Sequence, residues 1–355
     1  MDTSKLQKII LFDQDLQPYR YLIYKRFKNE FKRYGFSLLV YFDKQNNNKY
    51  FEEDYITGID YSFKNFKKVI RKNKCSLIVQ FVWLRYKFLL PFMIWARFRR
   101  VKIILWSHGI NLQKKNQPLF NLFYYLRQNL ADALILYSPE QVKYIKTSKN
   151  KIFIANNTLN LDELPVINKS QNELKNQYGY RNKKVLLFVG RLDVNNRSIE
   201  DFLGLSDVLD DGYVIIIIGP GMESNAAKNI TSQNSRIKYL GPFYDNQKVS
   251  EYYKMSDIFV MPGAIGLSIV QAFYYETPVL VQDVPHGPEA FYLVEGENGY
   301  YYHKGDINDM KQKLRQMLKP AHYEELVNNC RRTVSTSAAF GNMLKGFEQA
   351  INYAS

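Results

Sequence analysis

Two short apolar runs near the C-terminal end, residues 258–261 (IFVM) and 278–281 (PVLV), constrain the fold more than any other feature of the chain. Pro262 and Gly263 break the first run, a helical segment begins near Gly266, and the second run follows it. Two buried strands joined through a helix pair in parallel, because the crossover returns the chain to the edge it left. Parallel strands put their carboxyl ends together. The Gly-rich turn after residue 261 and the loop after 281, which carries His286 and Glu289, are therefore expected at one edge. Glycine lets a ligand approach the backbone closely, and the N–H groups of Gly266, Leu267 and Ser268 at a helix start would face an anion such as a phosphate. A lone turn of this kind also occurs in strand-turn-helix units that bind nothing.

The same unit recurs along the chain. Residues 8–12, 20–34 and 36–42 read as strand, helix and strand, and residues 43–60 as a polar loop. Between the first strand and its helix lie Pro18, Tyr19 and Arg20, either a ligand contact or an ordinary helix start. A strand over 101–106 ends in Ser107-His108-Gly109. His108, one of four His, is either a structural residue or a ligand-side group at the edge where an α/β sheet binds. The strand 184–189 ends in Gly190-Arg191-Leu192, with Asn196 and Arg197 just beyond. Two cations at a strand end suit a diphosphate, the alternative for Arg191 being a carboxylate partner. Residues 213–218 form another strand, ending in Gly219-Pro220-Gly221, and 237–243 (IKYLGPF, with Gly241) a short strand and turn. Residues 156–170 read as the boundary between two domains.

At 355 residues and 46% hydrophobic content, the chain can bury two separate cores. No charged-then-apolar leader opens the sequence, and the longest strongly apolar run, 88–96, is far below the roughly 20 residues of a spanning helix. A cytoplasmic protein is expected. Cys75 and Cys330 have no metal-type spacing. Residues 1–165 carry 29 Lys or Arg and 13 Asp or Glu, whereas the remainder carries 20 and 21. Such segregation points to an anionic partner: a membrane, a nucleic acid or an acidic acceptor. Residues 61–74 and 86–100 interleave aromatics with Lys and Arg, a pattern that suits the headgroup boundary of an anionic bilayer and equally a core helix with a solvated end. No recognisable nucleic-acid module accompanies the charge, which ranks nucleic acid last.

Taken together, these motifs resemble glycosyltransferase family 4, retaining enzymes of the GT-B fold. The family pattern is a strand, Pro, a turn carrying Glu, seven residues, a second Glu, then Gly-x-Pro-Val and a later Pro-Glu. Pro278-Val279 and Pro288-Glu289 keep their places here, while Gly263 and Gln271 occupy the two Glu positions. Gly190-Arg191-Leu192 resembles the family's Gly-Arg-Leu signature, whose Lys position holds Asn196 with Arg197 adjacent, and Gly219-Pro220-Gly221 matches its Gly-x-Gly segment. The resemblance is strong over 184–300 and weaker over the first half. It implies an α/β protein of two Rossmann-like domains with parallel sheets facing across a cleft. Residues 1–160 would form an acceptor- and membrane-facing domain, residues 161–336 a nucleotide-sugar-binding domain, and residues 337–355 a helix packing back on the first. The implied reaction moves a sugar from a nucleotide-sugar to a hydroxyl of a glycan or lipid-linked acceptor, with retention and without a metal or other cofactor. The implied setting is bacterial cell-surface polysaccharide or lipid-linked glycan synthesis, peripheral on the inner face of the membrane. Catalytic roles fall by the same implication to His108, Arg191, Arg197 and Glu289. Donor binding falls to Gly190, Asn196, Gly219, Gly241, Gly263, Gly266, Leu267, Ser268 and Gln271, and the acceptor side to Tyr19 and Arg20. The rival expectations are a nucleotide-sugar epimerase on the same scaffold and an inactive partner subunit, the latter motivated by Gly263 and Gln271.

Overall fold

Apolar strands alternate with amphipathic helices throughout the computed structural model, which describes residues 6–46, 53–111, 117–192, 199–221, 234–243 and 245–355. The chain divides into two units, Met1–Asn160 with Phe340–Ser355, and Leu161–Ala339.

In the first unit the order is β1 (Gln7–Asp13), α1 (Pro18–Arg33), β2 (Phe36–Asp43), β3 (Ile56–Ile59), α2 (Phe63–Asn73) and β4 (Leu77–Phe81). It continues with α3 (Leu89–Phe98), β5 (Lys102–Ser107), α4 (Pro118–Leu130), β6 (Ala133–Leu136) and β7 (Ile152–Ile154). The seven strands form one parallel sheet in the order β3-β2-β1-β4-β5-β6-β7. Alternate residues of β1 serve opposite faces. Ile9 and Leu11 pack with Phe27 of α1 and Phe347, whereas Ile10 and Phe12 pack with Phe66 of α2 and Phe92 of α3. A strand covered on both faces is apolar at every position, which is why these strands read as continuous runs.

Residues 43–60, expected as a loop, contain β3. It pairs with β2 from Val40 opposite Ile56, and only Ile56 of its four residues is buried, so no periodicity marks it. α2 starts where Ser62 accepts a hydrogen bond from the Asn65 N–H (3.2 Å) and buries Phe66, Val69 and Ile70.

The second unit runs α5 (Gln171–Gln177), β8 (Lys184–Val189), α6 (Ile199–Val208), β9 (Tyr213–Ile218), β10 (Ile237–Tyr239), α7 (Asn246–Met255), β11 (Ile258–Met261) and α8 (Ser268–Tyr274). Then come β12 (Val279–Asp283), β13 (Gly299–His303), α9 (Ile307–Met317) and α10 (Pro320–Thr336). Its six parallel strands are ordered β10-β9-β8-β11-β12-β13. The final helix, α11 (Phe340–Ala354), returns to the first unit. Phe347 lies 4.6 Å from Phe27 and 4.8 Å from Trp106, ring centre to ring centre. Gly346 is what lets α11 lie on β7: a Cβ there would meet the Ile154 carbonyl oxygen at 2.1 Å. Strand order reverses between β1 and β4 in one sheet and between β8 and β11 in the other, so each carboxyl edge opens a crevice at that point.

Candidate active site

At the crevice of the second sheet, three glycine-bearing turns meet. Gly190 follows β8 at φ 153° and Gly219 follows β9 at φ 136°, conformations that side-chain-bearing residues rarely adopt. Their backbones touch: a Cβ on Gly219 would sit 2.0 Å from the Gly190 carbonyl oxygen. The Gly190 N–H donates to Ile218 O (2.9 Å), Leu192 N–H to Pro220 O (2.9 Å), and Gly219 N–H to Gly241 O (2.9 Å). Gly190, Gly219 and Gly241 therefore form one hydrogen-bonded cluster. Arg191 leaves it with its side chain exposed. Asn196 and Arg197 lie outside the described residues.

Across the crevice, Gly263 follows β11 at φ 157°, its N–H donating to Met261 O (2.9 Å). That backbone suits glycine, which ties the missing Glu side chain to the path of this turn. Gly266 and Leu267 lead into α8, whose first internal bonds run from Ile269 N–H to Gly266 O (3.2 Å) and Val270 N–H to Leu267 O (3.0 Å). The N–H groups of Gly266, Leu267 and Ser268 precede those donors, the position in which helix-start N–H groups lack an intrahelical acceptor. With seven residues α8 has a small dipole, so these groups act as individual donors. Gln271 is half-buried one turn further on.

The loop after β12 closes the edge. Glu289 is buried in a single turn of 3-10 helix, Pro288–Tyr292, and its Oε2 lies so near Gly287 that a Cβ there would be 2.8 Å away. His286 carries more than its sequence position suggested. Its Nδ1 lies 3.2 Å from the Ile265 backbone nitrogen, and a backbone N–H can only donate, so Nδ1 is the unprotonated acceptor and the proton of the neutral ring is on Nε2. Nε2 is buried and has no hydrogen-bond partner among the described residues, and it lies beside the Tyr301 ring at 5.4 Å between centres. His286 thus ties the loop after β12 to the turn after β11. The only signal in the sequence was a His in a loop at the carboxyl edge.

Burial lowers the His286 pKa, and the nearby Asp283 charge opposes that shift. The unfolded ring takes up a proton near pH 6.5 and the folded ring resists it. Stability supplied by the neutral ring is therefore fully present above that pH and declines as pH falls through the window below it. In His286→Gln the amide oxygen still accepts from Ile265 N–H but cannot titrate. Its thermal midpoint should decline less than that of the parent between pH 6.5 and about pH 5, above the range where carboxylates protonate. Equal declines in the two proteins would contradict the assignment.

The first sheet gathers a second cluster at its own crevice. Pro18 is the first residue of α1, so Tyr19 and Arg20 belong to a helical turn, and the Arg20 side chain, only 13% exposed, is turned inward. Its guanidinium lies 4.6 Å from the Phe81 ring centre and 4.9 Å from that of Trp106, and donates to Tyr137 Oη (3.2 Å) and Tyr19 Oη (3.1 Å). Buried Asp13 at the end of β1 accepts from Tyr24 Oη (2.5 Å) and stands 3.8 Å from Arg20 Nε. Burial raises the Asp13 carboxyl, and Arg20 and Tyr24 pull it back down.

His108 stacks on Tyr137 (4.5 Å, 24°). Gln141 Oε1 accepts from the Tyr137 (2.9 Å) and Ser138 (3.2 Å) N–H groups, which turns its Nε2 toward His108 Nδ1 at 3.3 Å. Nδ1 is thereby an acceptor and Nε2–H a donor. The ring keeps an exposed face although protein atoms crowd the rest. That crowding first, and the Arg20 charge second, lower its pKa, so the imidazole is neutral at pH 7. Among the described residues no group of His, Cys, Asp and Glu is arranged to hold a metal ion.

Residues 183–320 match the sequence model of the family described as Glycosyl transferases group 1. The matched segment, less than half of the chain, is similar to the group 1 glycosyltransferases. Sucrose-phosphate synthase from Thermosynechococcus elongatus aligns over 98% of each chain with a TM-score of 0.72 at 16% identity. Anabaena HepE, solved with UDP, aligns over 98% of this chain and 100% of its own with a TM-score of 0.73 at 14% identity. Likeness at this level shows the GT-B fold. Sulfoquinovosyl transferase SQD2 of Arabidopsis thaliana is 25% identical over 158 residues, 43% of this chain and 30% of that protein, so the match spans under a third of the relative's length. The matched segment contains the whole second crevice, from Gly190 to Glu289. His108, Tyr19 and Arg20 stand outside it, on the first sheet.

Proposed function

We propose that this glycosyltransferase moves a sugar from a nucleotide-sugar to a hydroxyl of a glycan or lipid-linked acceptor, with retention of anomeric configuration, in cell-surface polysaccharide or lipid-linked glycan synthesis. One observation carries the reading: the clustered turns of Gly190, Gly219 and Gly241 and the exposed Arg191 stand at the switch point of a parallel sheet, inside the segment that matches the family. A departing diphosphate needs donors fixed in advance where charge develops. Arg191 supplies a fork of two parallel hydrogen bonds, and the N–H groups of Gly266, Leu267 and Ser268 supply uncharged donors on the other side. The UDP bound by HepE on the same fold supports a nucleoside diphosphate as the leaving group. Arg197 is assigned to the same charge, which leaves no step that calls for a metal. Asn196 is placed with the donor-binding residues. Gln271 meets ribose hydroxyls through a neutral amide. Glu289, held in place by its turn, meets the sugar.

Incubation with a panel of nucleotide-sugars and candidate acceptors tests the proposal. Nucleoside diphosphate should be released only when an acceptor is present, and the product should keep the donor's anomeric configuration. A changed sugar without acceptor would favour an epimerase, and donor binding without any turnover an inactive partner.

His108 presents a neutral Nε2–H at the first sheet's edge, and we assign it to orienting the transferring sugar. At saturating substrate, His108→Ala should lower turnover at least about tenfold, equivalent to about 1.4 kcal/mol of barrier. Unchanged turnover in a folded variant would remove it from the mechanism. To the same reading belongs an anionic membrane as the surface on which the first unit works, at the inner face of the cell membrane. Among the described residues no helix is long and apolar enough to cross one.

A further inference from the structure

Nine large apolar side chains stand well exposed among the described residues, and five of them lie on two neighbouring helices. α3 exposes Ile94 (42%) and Phe98 (84%), and α4 exposes Leu122 (49%), Phe123 (50%) and Leu126 (43%). Ile94 and Phe98, like Leu122 and Leu126, are four residues apart, and Phe123 is three from Leu126, spacings that put these pairs on one face of each helix. The two helices pack together, and Arg97 Nη1 at the end of α3 donates to Leu130 O at the end of α4 (2.9 Å). A hollow lined by Ile94, Arg97, Phe98 and Leu130 lies at the junction. Single exposed apolar residues are ordinary, whereas a contiguous group marks a surface that something covers.

The charge around it says what. Between Asp60 and Asp132 the chain has fifteen Lys or Arg and no acidic residue at all, and that stretch supplies α2, α3 and α4. Arg99 and Arg100 follow Phe98 directly, and Lys67 and Arg71 of α2 lie over the Trp95 ring at 5.5 and 5.7 Å. Asp132, the first acid, is already engaged by Lys102 (3.5 Å) and Arg97 (4.0 Å).

We infer that the α3–α4 face is a docking surface for an anionic lipid bilayer. Ile94, Phe98, Leu122, Phe123 and Leu126 enter the headgroup boundary while the surrounding cations meet lipid phosphates. The inference rests on the reading that the first unit works at a membrane, and adds which face meets it. Nucleic acid would use the cations but leaves exposed Leu and Ile without a partner. A second copy of the chain would bring the same positive surround against itself. The sequence pattern drew attention to 61–74 and 86–100, but α4 carries few charges and its role is visible only once its exposed residues are seen beside α3.

Co-sedimentation with phosphatidylcholine vesicles, with and without phosphatidylglycerol, tests this on the full chain. All substituted positions are exposed, so folding is retained and is checked by thermal unfolding. The parent should bind the anionic vesicles at least about tenfold more tightly than neutral ones, less so as salt is raised. Phe98→Ser with Phe123→Ser should lose at least about tenfold on anionic vesicles, and Arg99→Glu should weaken binding and flatten its salt dependence. Donor turnover on a water-soluble acceptor should stay at the parental rate in both variants, and a lack of turnover in the parent would count against the proposed reaction and not against the surface. Equal binding to both vesicle types, or parental binding by the Ser variants, overturns the inference. So would tighter binding of an oligonucleotide that the Ser variants lose, or a parental dimer that they dissociate.

Discussion

Gly219→Ala is expected to destroy the proposed donor site and to destabilise the second unit by about 3–5 kcal/mol, the range in which a single substitution requires a named steric cause. The cause here is backbone against backbone. The new methyl would sit 2.0 Å from the Gly190 oxygen and 2.7 Å from its carbonyl carbon, at φ 136°. No side-chain rotation can relieve that contact. Either the turn after β9 moves, breaking the bonds to Gly241 O and from Leu192 to Pro220 O, or the turn after β8 does, carrying Arg191 with it. Gly341→Ala serves as the comparison, because it lies within α11, has no heavy atom within 4 Å of an added Cβ and should be close to neutral. Thermal unfolding and nucleotide binding measured together decide the matter. A Gly219→Ala protein with the parental midpoint and parental binding would mean that the two turns do not touch.

Arg191→Ala should act in the opposite manner, leaving folding intact and removing ligand. Its side chain is exposed, so truncation opens no cavity. On the proposed reading the loss is of two charge-assisted hydrogen bonds to a diphosphate, each worth roughly 1.5–3 kcal/mol. We expect the dissociation constant for the donor to rise at least about a hundredfold, close to 2.7 kcal/mol. Gln271→Ala, which forfeits one neutral hydrogen bond, should cost only about 1 kcal/mol. The contrast between the two separates recognition of the diphosphate from recognition of the ribose. Similar losses in both would place the phosphates elsewhere.

What could be read from the residues alone depended on how local its cause is. Ile258–Met261, Lys184–Val189 and Tyr213–Ile218 are strands buried on both faces, so composition marks them directly. β3 buries one residue of four and owes its existence to pairing with β2, which no local pattern records. Arg20 read from sequence as either a ligand contact or part of an ordinary helix start. Its actual surroundings come from Phe81, Trp106 and Tyr137, the last 117 positions away, so its inward turn depends on the assembled sheet. The turns at Gly190, Gly219 and Gly263 were legible as glycines, and the contact between the first two was not. The tautomers of His108 and His286 are fixed by Gln141 and by the Ile265 N–H, partners that only the fold brings within reach. His108 was placed at a strand edge from sequence. That it is neutral and presents Nε2–H follows from those contacts.

The central claim is that the carboxyl edge of the second sheet binds the nucleoside diphosphate of a sugar donor. Calorimetric titration of the parent and of Arg191→Ala with a panel of nucleoside diphosphates and their sugar conjugates tests it most directly. The account predicts saturable one-to-one binding of at least one member of the panel by the parent, and loss of that binding in the folded Arg191→Ala protein. Binding of the same ligand with equal affinity by both proteins would contradict it.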